Sequence, residues 1–282
     1  MLRRYIFLLI PLLAALSCAK EQRGGETGAP VAERLPMAFT AAVASPSTKS
    51  VTEVTTGTLG STIYVTAVKS DGSFYFVQEP FTLGASGRYV NASCFWPVGE
   101  DLRFLATNCD LDPDEDVPTT GDIQYEISSD TDYVFAATAS TAISHVIPLT
   151  FSHALSWLYA IELSPTEGVT ATVNNLEIDY WDTGSYAVGA GLWEGLSTDT
   201  IDLSGGLSTT TDMLVFPGIV TLTIDYTATF EGETADYVKK GYVSMEAGKK
   251  VTVSAELGAD ASSLHIVSTA LPWEISSSSQ TY

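Results

Sequence analysis

The sequence predicts an all-β protein of two tandem antiparallel β-sandwiches. Several stretches alternate apolar and polar residues with a period of two. In the cleanest, Val220, Leu222, Ile224, Tyr226, Ala228 and Phe230 interleave with Thr221, Thr223, Asp225, Thr227, Thr229 and Glu231. That period belongs to half-exposed antiparallel strands rather than helices. Composition agrees: 45% of residues are apolar and 10% aromatic, and Thr, Val, Tyr and Gly are abundant. The length of 282 residues exceeds one ordinary domain, and short runs recur between turn signals at close spacing.

The chain opens with a targeting segment, residues 1–17. Arg3 and Arg4 supply a basic start, Tyr5 to Leu16 an apolar run of twelve residues, and Ala15-Leu16-Ser17-Cys18 a cleavage zone. The run is too short to span a bilayer. Small residues just before Cys18 resemble the lipobox of bacterial lipoproteins, with Ala15 where Leu is preferred. The resemblance implies acylation of Cys18, and a lipid anchor as the one membrane contact. Removing residues 1–17 takes away two arginines and no acid, moving the formal charge from −21 to −23. A field of that sign repels phosphate backbones and anionic lipid, so nucleic acid is excluded as a partner.

Residues 18–34 are Gly-rich, charged and aperiodic, and read as a flexible tether. Leu35 to Ala44 is a first strand, followed by a Ser/Thr loop to Thr56 that holds Pro46 and Lys49. Ile63 to Lys69 and Ser73 to Gln78 flank Asp71-Gly72, the strongest hairpin signal in the chain. Tyr89 to Trp96 and Leu102 to Thr107 are further strands, joined through the turn-like Pro97 to Asp101. Pairing of those two would bring Cys94 and Cys109 near each other; the alternatives are a disulfide in an oxidising compartment or two buried thiols. Asp110 to Gly121 is an acidic loop, and Tyr125 to Ala137 leads toward the chain's middle.

His145 to Leu163 is the longest alternation before Val220, with Ile147, Leu149, Phe151, His153, Leu155, Trp157, Tyr159, Ile161 and Leu163 on one parity. A strand of that length needs a bend, placed here at Ser152 to Ser156, with a short helical turn as the rival. We expect this stretch to be the first core strand of the second sandwich, with a boundary near Ala142, so that the sandwiches are 35–142 and 143–282. Leu176 to Tyr180, Val220 to Glu231, Val251 to Leu257 and Leu264 to Trp273 are its other strands, and Trp193 anchors a Gly-rich segment between Trp181 and Leu196.

Chemistry-bearing motifs are scarce. Metalloprotease, nucleophile-elbow and phosphate-loop patterns are missing, and the three histidines are scattered. His153 sits on the heavy parity and reads as a packed core residue. The acidic loop fails as an EF-hand, because counting from Asp112 puts Val117 where Gly is needed and Ile123 where Glu is needed. A looser calcium site at Asp112, Asp114 and Asp116 is the one metal candidate. Trp96, Trp157, Trp193 and Trp273 lie in strand-like contexts that favour packing over sugar stacking. No catalytic set and no cofactor are expected.

FWPVGEDLRFLA at Phe95 to Ala106, DTDYVFA at Asp130 to Ala136, VIPLTFSHALSWL at Val146 to Leu158, LVFPG at Leu214 to Gly218 and LPWE at Leu271 to Glu274 occur in this order. Together they resemble the fimbrillin-like lipoproteins of gut and oral Gram-negative bacteria, which build type V pili. The resemblance implies transthyretin-like sandwiches, an outer-membrane lipoprotein exposed at the surface as part of a fimbrium, and assembly by β-strand complementation with other fimbrial subunits. It also implies that a trypsin-like protease removes Leu35 to Ala44, with Lys49 as the basic residue best placed for the cut. SSSSQTY at Ser276 to Tyr282 offers no apolar alternation to donate, so a tip or accessory subunit with an unknown host or bacterial receptor is expected. The competing class is a glycan-binding surface lipoprotein of a nutrient-uptake system, which should expose coplanar aromatics.

Overall fold

The computed structural model describes residues 35–43, 52–53, 59–112, 122–141, 146–203, 206–260 and 264–272. It is all-β, and its strands fall into three sheets. The first sheet takes β1 (Pro36–Val43), β2 (Thr52–Glu53), β3 (Thr62–Lys69), β4 (Phe74–Leu83), β5 (Tyr89–Phe95) and β6 (Leu102–Thr107), then β8 (Val134–Ser140) and β9 (Ile147–His153), passing over β7 (Gln124–Ser128). Its order is β2-β1-β5-β4-β3-β6-β8-β9, and β9 pairs back onto β1, so the ladder closes on itself. Closure satisfies edges that would otherwise stay open. Inside lies a first core that includes Phe39, Ile63, Val65, Phe81, Phe104, Leu149 and Phe151.

The remaining strands form a sandwich. One sheet is ordered β13 (Ser208–Val215), β10 (Ser156–Pro165), β16 (Lys249–Leu257), β17 (His265–Pro272). The other is ordered β12 (Leu192–Leu203), β11 (Val169–Ala187), β14 (Gly218–Phe230), β15 (Glu233–Met245), and β7 also pairs with β11. Between them Leu158, Ile161, Leu176, Leu222, Tyr226 and Val253 belong to a second core. The predicted alternation of Val220 to Phe230 is realised, each apolar member through Ala228 being buried.

The Asp71-Gly72 hairpin also forms. Gly72 takes φ +84°, a left-handed value that favours glycine, and its N–H donates to the Lys69 carbonyl at 3.0 Å. The Asp71 carboxylate accepts from the Ser73 hydroxyl at 2.6 Å and the Ser73 N–H at 2.9 Å. Those bonds hold its pKa below the ordinary value.

The middle of the chain departs from expectation. The His145 to Leu163 alternation is two strands, broken by a bend at Ala154 and Leu155, inside the window where a bend was expected. β9 pairs with β1 and β8, so it closes the first sheet instead of opening the second sandwich. The sheet change therefore falls between His153 and Ser156, not near Ala142. The division at 142 fails a second time at β7, which precedes it yet pairs with β11. The buried parity changes as well. In β9 the odd positions are buried, but in β10 Ser156, Leu158 and Ala160 are, until a register irregularity between Leu158 and Ala160 returns Ile161 and Leu163 to the core. Trp157 and Tyr159 consequently face outward. Lys250 Nζ lies 4.3 Å from the Trp157 ring centroid and 3.4 Å from that of Tyr159.

A third core joins the sheets. Val68 and Leu105 point away from the first core and meet Tyr125 and Ile127 of β7, Tyr133 just before β8, Phe135 within it, and Phe216. Gln78 Nε2 donates to the Tyr125 hydroxyl there. Burial pushes the Tyr125 phenol up to about 12, against the hydrogen bonds of Gln78 and Thr66. His153 is buried, with Nδ1 2.8 Å from an Asp132 carboxylate oxygen, in keeping with the packing role expected for it.

Two predictions test this packing. Gly241 on β15 leaves the space taken by Ile266 on β17, since a Cβ there would stand 2.0 Å from Ile266 Cδ1. Gly241→Ala should cost about 1–3 kcal/mol in urea unfolding. Adding Ile266→Ala should give a loss smaller than the sum of the two single losses by about 1 kcal/mol. The second test is alkaline. An unfolded tyrosine ionises near pH 10 while Tyr125 holds its proton to about 12. Its contribution is complete below about pH 10 and is lost between about 10 and 12, by about 3 kcal/mol. Tyr125→Phe should flatten that part of the pH–stability curve, leaving the slope due to Tyr89, Tyr180, Tyr186 and Tyr226, whose phenols burial also raises.

Candidate functional site

The site with the clearest capacity for binding is the seat of β1. Met37, Phe39, Ala41 and Val43 alternate with residues that face out, so one side of a short strand is apolar. Met37 and Phe39 are fully buried and Val43 nearly so, whereas Pro36 and Thr40 are exposed. Burial of such a side chain contributes about 1.5–3 kcal/mol. Phe39 is central. Its ring meets Phe81 at 4.8 Å and 87°, and Phe104 at 5.1 Å and 77°, both edge to face, the geometry aromatic quadrupoles favour. Phe104 in turn meets Trp96 at 5.6 Å and 89°.

The walls of the seat are unequal. On one side β9 runs parallel to β1 in unbroken register, from Phe39↔Ile147 to Val43↔Phe151. On the other, β5 is antiparallel and irregular: Pro36 pairs Phe95, then Ala38 pairs Val90 and Phe39 pairs Tyr89. Beyond it, β5 is tied to β4 only at Thr82↔Val90 and Leu83↔Tyr89. Side chains reinforce that seam, with the Tyr75 hydroxyl donating to the Phe95 carbonyl at 3.1 Å and Asn91 Nδ2 to the Pro80 carbonyl at 2.8 Å. Tyr89 donates its hydroxyl to the Gly60 carbonyl at 3.0 Å, and burial raises its pKa. The Trp96 backbone N–H donates to the Leu35 carbonyl at 3.0 Å, while its buried indole N–H has no acceptor among the described residues. An orphan of this kind costs about 1–3 kcal/mol.

β1 is held at its far end by β2 through Ala42↔Glu53 and Val43↔Thr52. The residues joining these strands, Lys49 among them, lie outside the described residues, as does Cys18. Were β1 withdrawn, β5 and β9 would present open backbone edges above an apolar floor of Phe81 and Phe104. Such a slot binds an extended peptide by main-chain hydrogen bonds and side-chain pockets.

Other sequence candidates do not converge here. Cys94 and Cys109 are not joined to each other: Cys94 lies in the first core, Cys109 packs on the third. The expected pairing of β5 with β6 does not form, because β4 and β3 stand between them. Asp112 sits in an irregular segment after β6, and Asp114 and Asp116 fall outside the described residues. Trp157 and Tyr159 are at 81° to each other, so they make no flat platform. Of the other tryptophans, Trp96 is buried, Trp193 packs on the third core, and Trp273 lies outside the described residues. Sequence reasoning missed the β9 wall, Ile147, Leu149 and Phe151. Its signal was the bend after His153, which detaches that apolar run from β10.

The fimbrillin-like family model matches residues 48–273, a span that begins after β1. No curated protein matches. A fimbrial protein from Bacteroides vulgatus shares the fold at a TM-score of 0.55 and 14% identity, over 84% of this chain and 99% of its own. A candidate cell adhesion protein from Bacteroides uniformis does so at 0.50 and 16%, over 86% and 99%. The family match spans most of the chain, which therefore belongs to the fimbrillin-like family.

Proposed function

We propose that the chain is an adhesive subunit of cell-surface fimbriae, exported as a lipoprotein anchored in the outer membrane through Cys18. A trypsin-like protease cuts after Lys49, the first strand leaves, and a strand of another subunit takes its place. The observation that carries this reading is the seat of β1: one short strand, first of those described, closes a sheet that is otherwise complete. Its hold on β2 is two residue pairs, and on β5 it is irregular. A cut between β1 and β2 would leave β1 held by those pairings, by β9 and by its buried side chains alone. Family membership supports the same reading, as does the start of the family match beyond β1. Within the fimbrium the chain acts as a tip or accessory subunit that presents its surface to a host or bacterial receptor.

The test is mild trypsin treatment of the mature protein followed by mass spectrometry. Cleavage after Lys49, loss of the preceding segment, and capture of an added strand peptide are expected, and Lys49→Ala should abolish all three. Persistence of β1 through cleavage, with no capture of any strand, would rule the reading out. Labelling on purified fibres should mark their ends; regular labelling along the shaft would assign the chain to the stalk instead.

A further inference from the structure

β15 ends the strand order of its sheet, and among the described residues no strand pairs with its other side. It runs for 13 residues, whereas edge strands that stay single are usually short, bulged or covered. Its inward row is committed to the sandwich. Tyr237 stacks on Tyr226 at 5.4 Å, Lys239 donates to the Asp260 carbonyl at 2.8 Å, and Gly241, Val243 and Met245 are buried. The outward row is Thr234, Asp236, Val238, Lys240, Tyr242 and Ser244, every member exposed. Val238 is 64% and Tyr242 68% exposed, so the row offers apolar area as well as charge. Asp236 accepts from the Thr227 hydroxyl at 2.7 Å, which keeps its carboxylate on the outer face. Lys240 forms no ion pair among the described residues.

This row is complementary to itself. When two identical strands pair about a two-fold axis, residue i of one copy faces j of the other, and j faces i. With Val238 opposite Val238, Asp236 of each copy faces Lys240 of the other, and Thr234 faces Tyr242. Sliding one copy by two residues sets Lys240 or Asp236 against Val238. Sliding it by four sets Lys240 against Lys240, or Asp236 against Asp236. A slip of one residue puts the outward row of one copy beside the inward row of the other. One register therefore matches charge on both sides of the axis. The other edges in the strand orders of the two sandwich sheets lack this property. β12 carries Glu194, Asp199 and Asp202 and β13 carries Asp212, neither with a Lys or Arg, and β17 carries no acid. For a chain of net charge −21, β15 is the edge where copies meet with local attraction.

We propose that two copies of this chain associate edge to edge along β15, antiparallel, with Val238 on the two-fold axis, so that the sheet runs on from one copy into the next. The pairing exchanges no strand and is independent of the seat of β1. Lysine on an edge also serves elsewhere as a guard against such pairing, and the two roles give opposite results when the lysine is removed.

The experiment is sedimentation velocity on residues 18–282, kept free of lipid by Cys18→Ala, across the micromolar range. A reversible monomer–dimer equilibrium is expected. Lys240→Asp and Asp236→Lys each replace two attractive cross-strand pairs by two repulsive ones, and each should raise the dissociation constant at least about tenfold. Lys240→Ala should raise it about threefold. An equal mixture of the Lys240→Asp and Asp236→Lys chains should dimerise again, because each supplies the charge the other lacks, and the double variant should dimerise by itself. A wild-type chain that stays monomeric throughout the range would overturn the proposal. So would tighter association of Lys240→Ala, the result a guard lysine gives, or a mixture in which neither variant recovers its partner.

Discussion

The insertion of β1 between β5 and β9 is the constraint on which the first half of the molecule rests. β9 reaches β8 only at Val134↔His153 and Phe135↔Ser152, and β5 reaches β4 only at Thr82↔Val90 and Leu83↔Tyr89. Each would be a loosely attached flap without β1. With it, the ladder closes and Phe39 brings Phe81 and Phe104 into one edge-to-face cluster. The same strand thus closes the ladder and centres the aromatic cluster.

The rest of the molecule is insulated from that site. No described residue of β1 belongs to the second or third core. The third core instead grips the first sheet through the outward faces of β3 and β6, at Val68 and Leu105, while β7 is laid along β11 from Thr183↔Ser128 to Ala187↔Gln124. Asp122, just before β7, accepts from the Gly189 N–H at 2.5 Å and the Ala190 N–H at 2.8 Å, fastening the β11–β12 turn to the same junction. Withdrawal of β1 would therefore leave the packing between the halves in place.

How far the sequence could be read depended on whether one face of a strand meets water. Val220 to Phe230 was legible because Thr and Asp line its outer face, and Asp71-Gly72 because only a tight turn needs that pair. The third core hid several elements. Leu105 is buried on the face that a half-exposed strand would leave to water, so β6 carries no clean alternation. β15 was unreadable for the opposite reason: Glu233 to Asp236 are exposed on both faces, and Gly241 is an inward position filled by a neighbour's side chain. At the site, the apolar character of Met37 and Phe39 was visible. The parallel pairing of β1 with β9 was not, since no local signal specifies which distant strand completes a ladder. The parity of His145 to Leu163 misled because it runs unbroken across a change of sheet, and a single irregularity at Tyr159 restores the phase that the bend had shifted.

Were the seat of β1 emptied and refilled, as proposed, it would have to avoid wrong partners in between. Exposed edges pair indiscriminately through backbone groups, so selectivity has to come from elsewhere. Pro148 lies on β9 where, among the described residues, β1 is its one ladder neighbour. A proline offers no N–H to a stranger's carbonyl, which is why it is confined to edge-like positions. The formal charge of −21 repels copies of this chain over distances longer than a hydrogen bond. The pocket that Phe39 fills beside Phe81 and Phe104 would then act at contact range, since a strand that left it empty would gain backbone bonds but forfeit the burial that Phe39 supplies. Repulsion at long range and the demand for a buried ring at contact range would both narrow the set of strands able to replace β1.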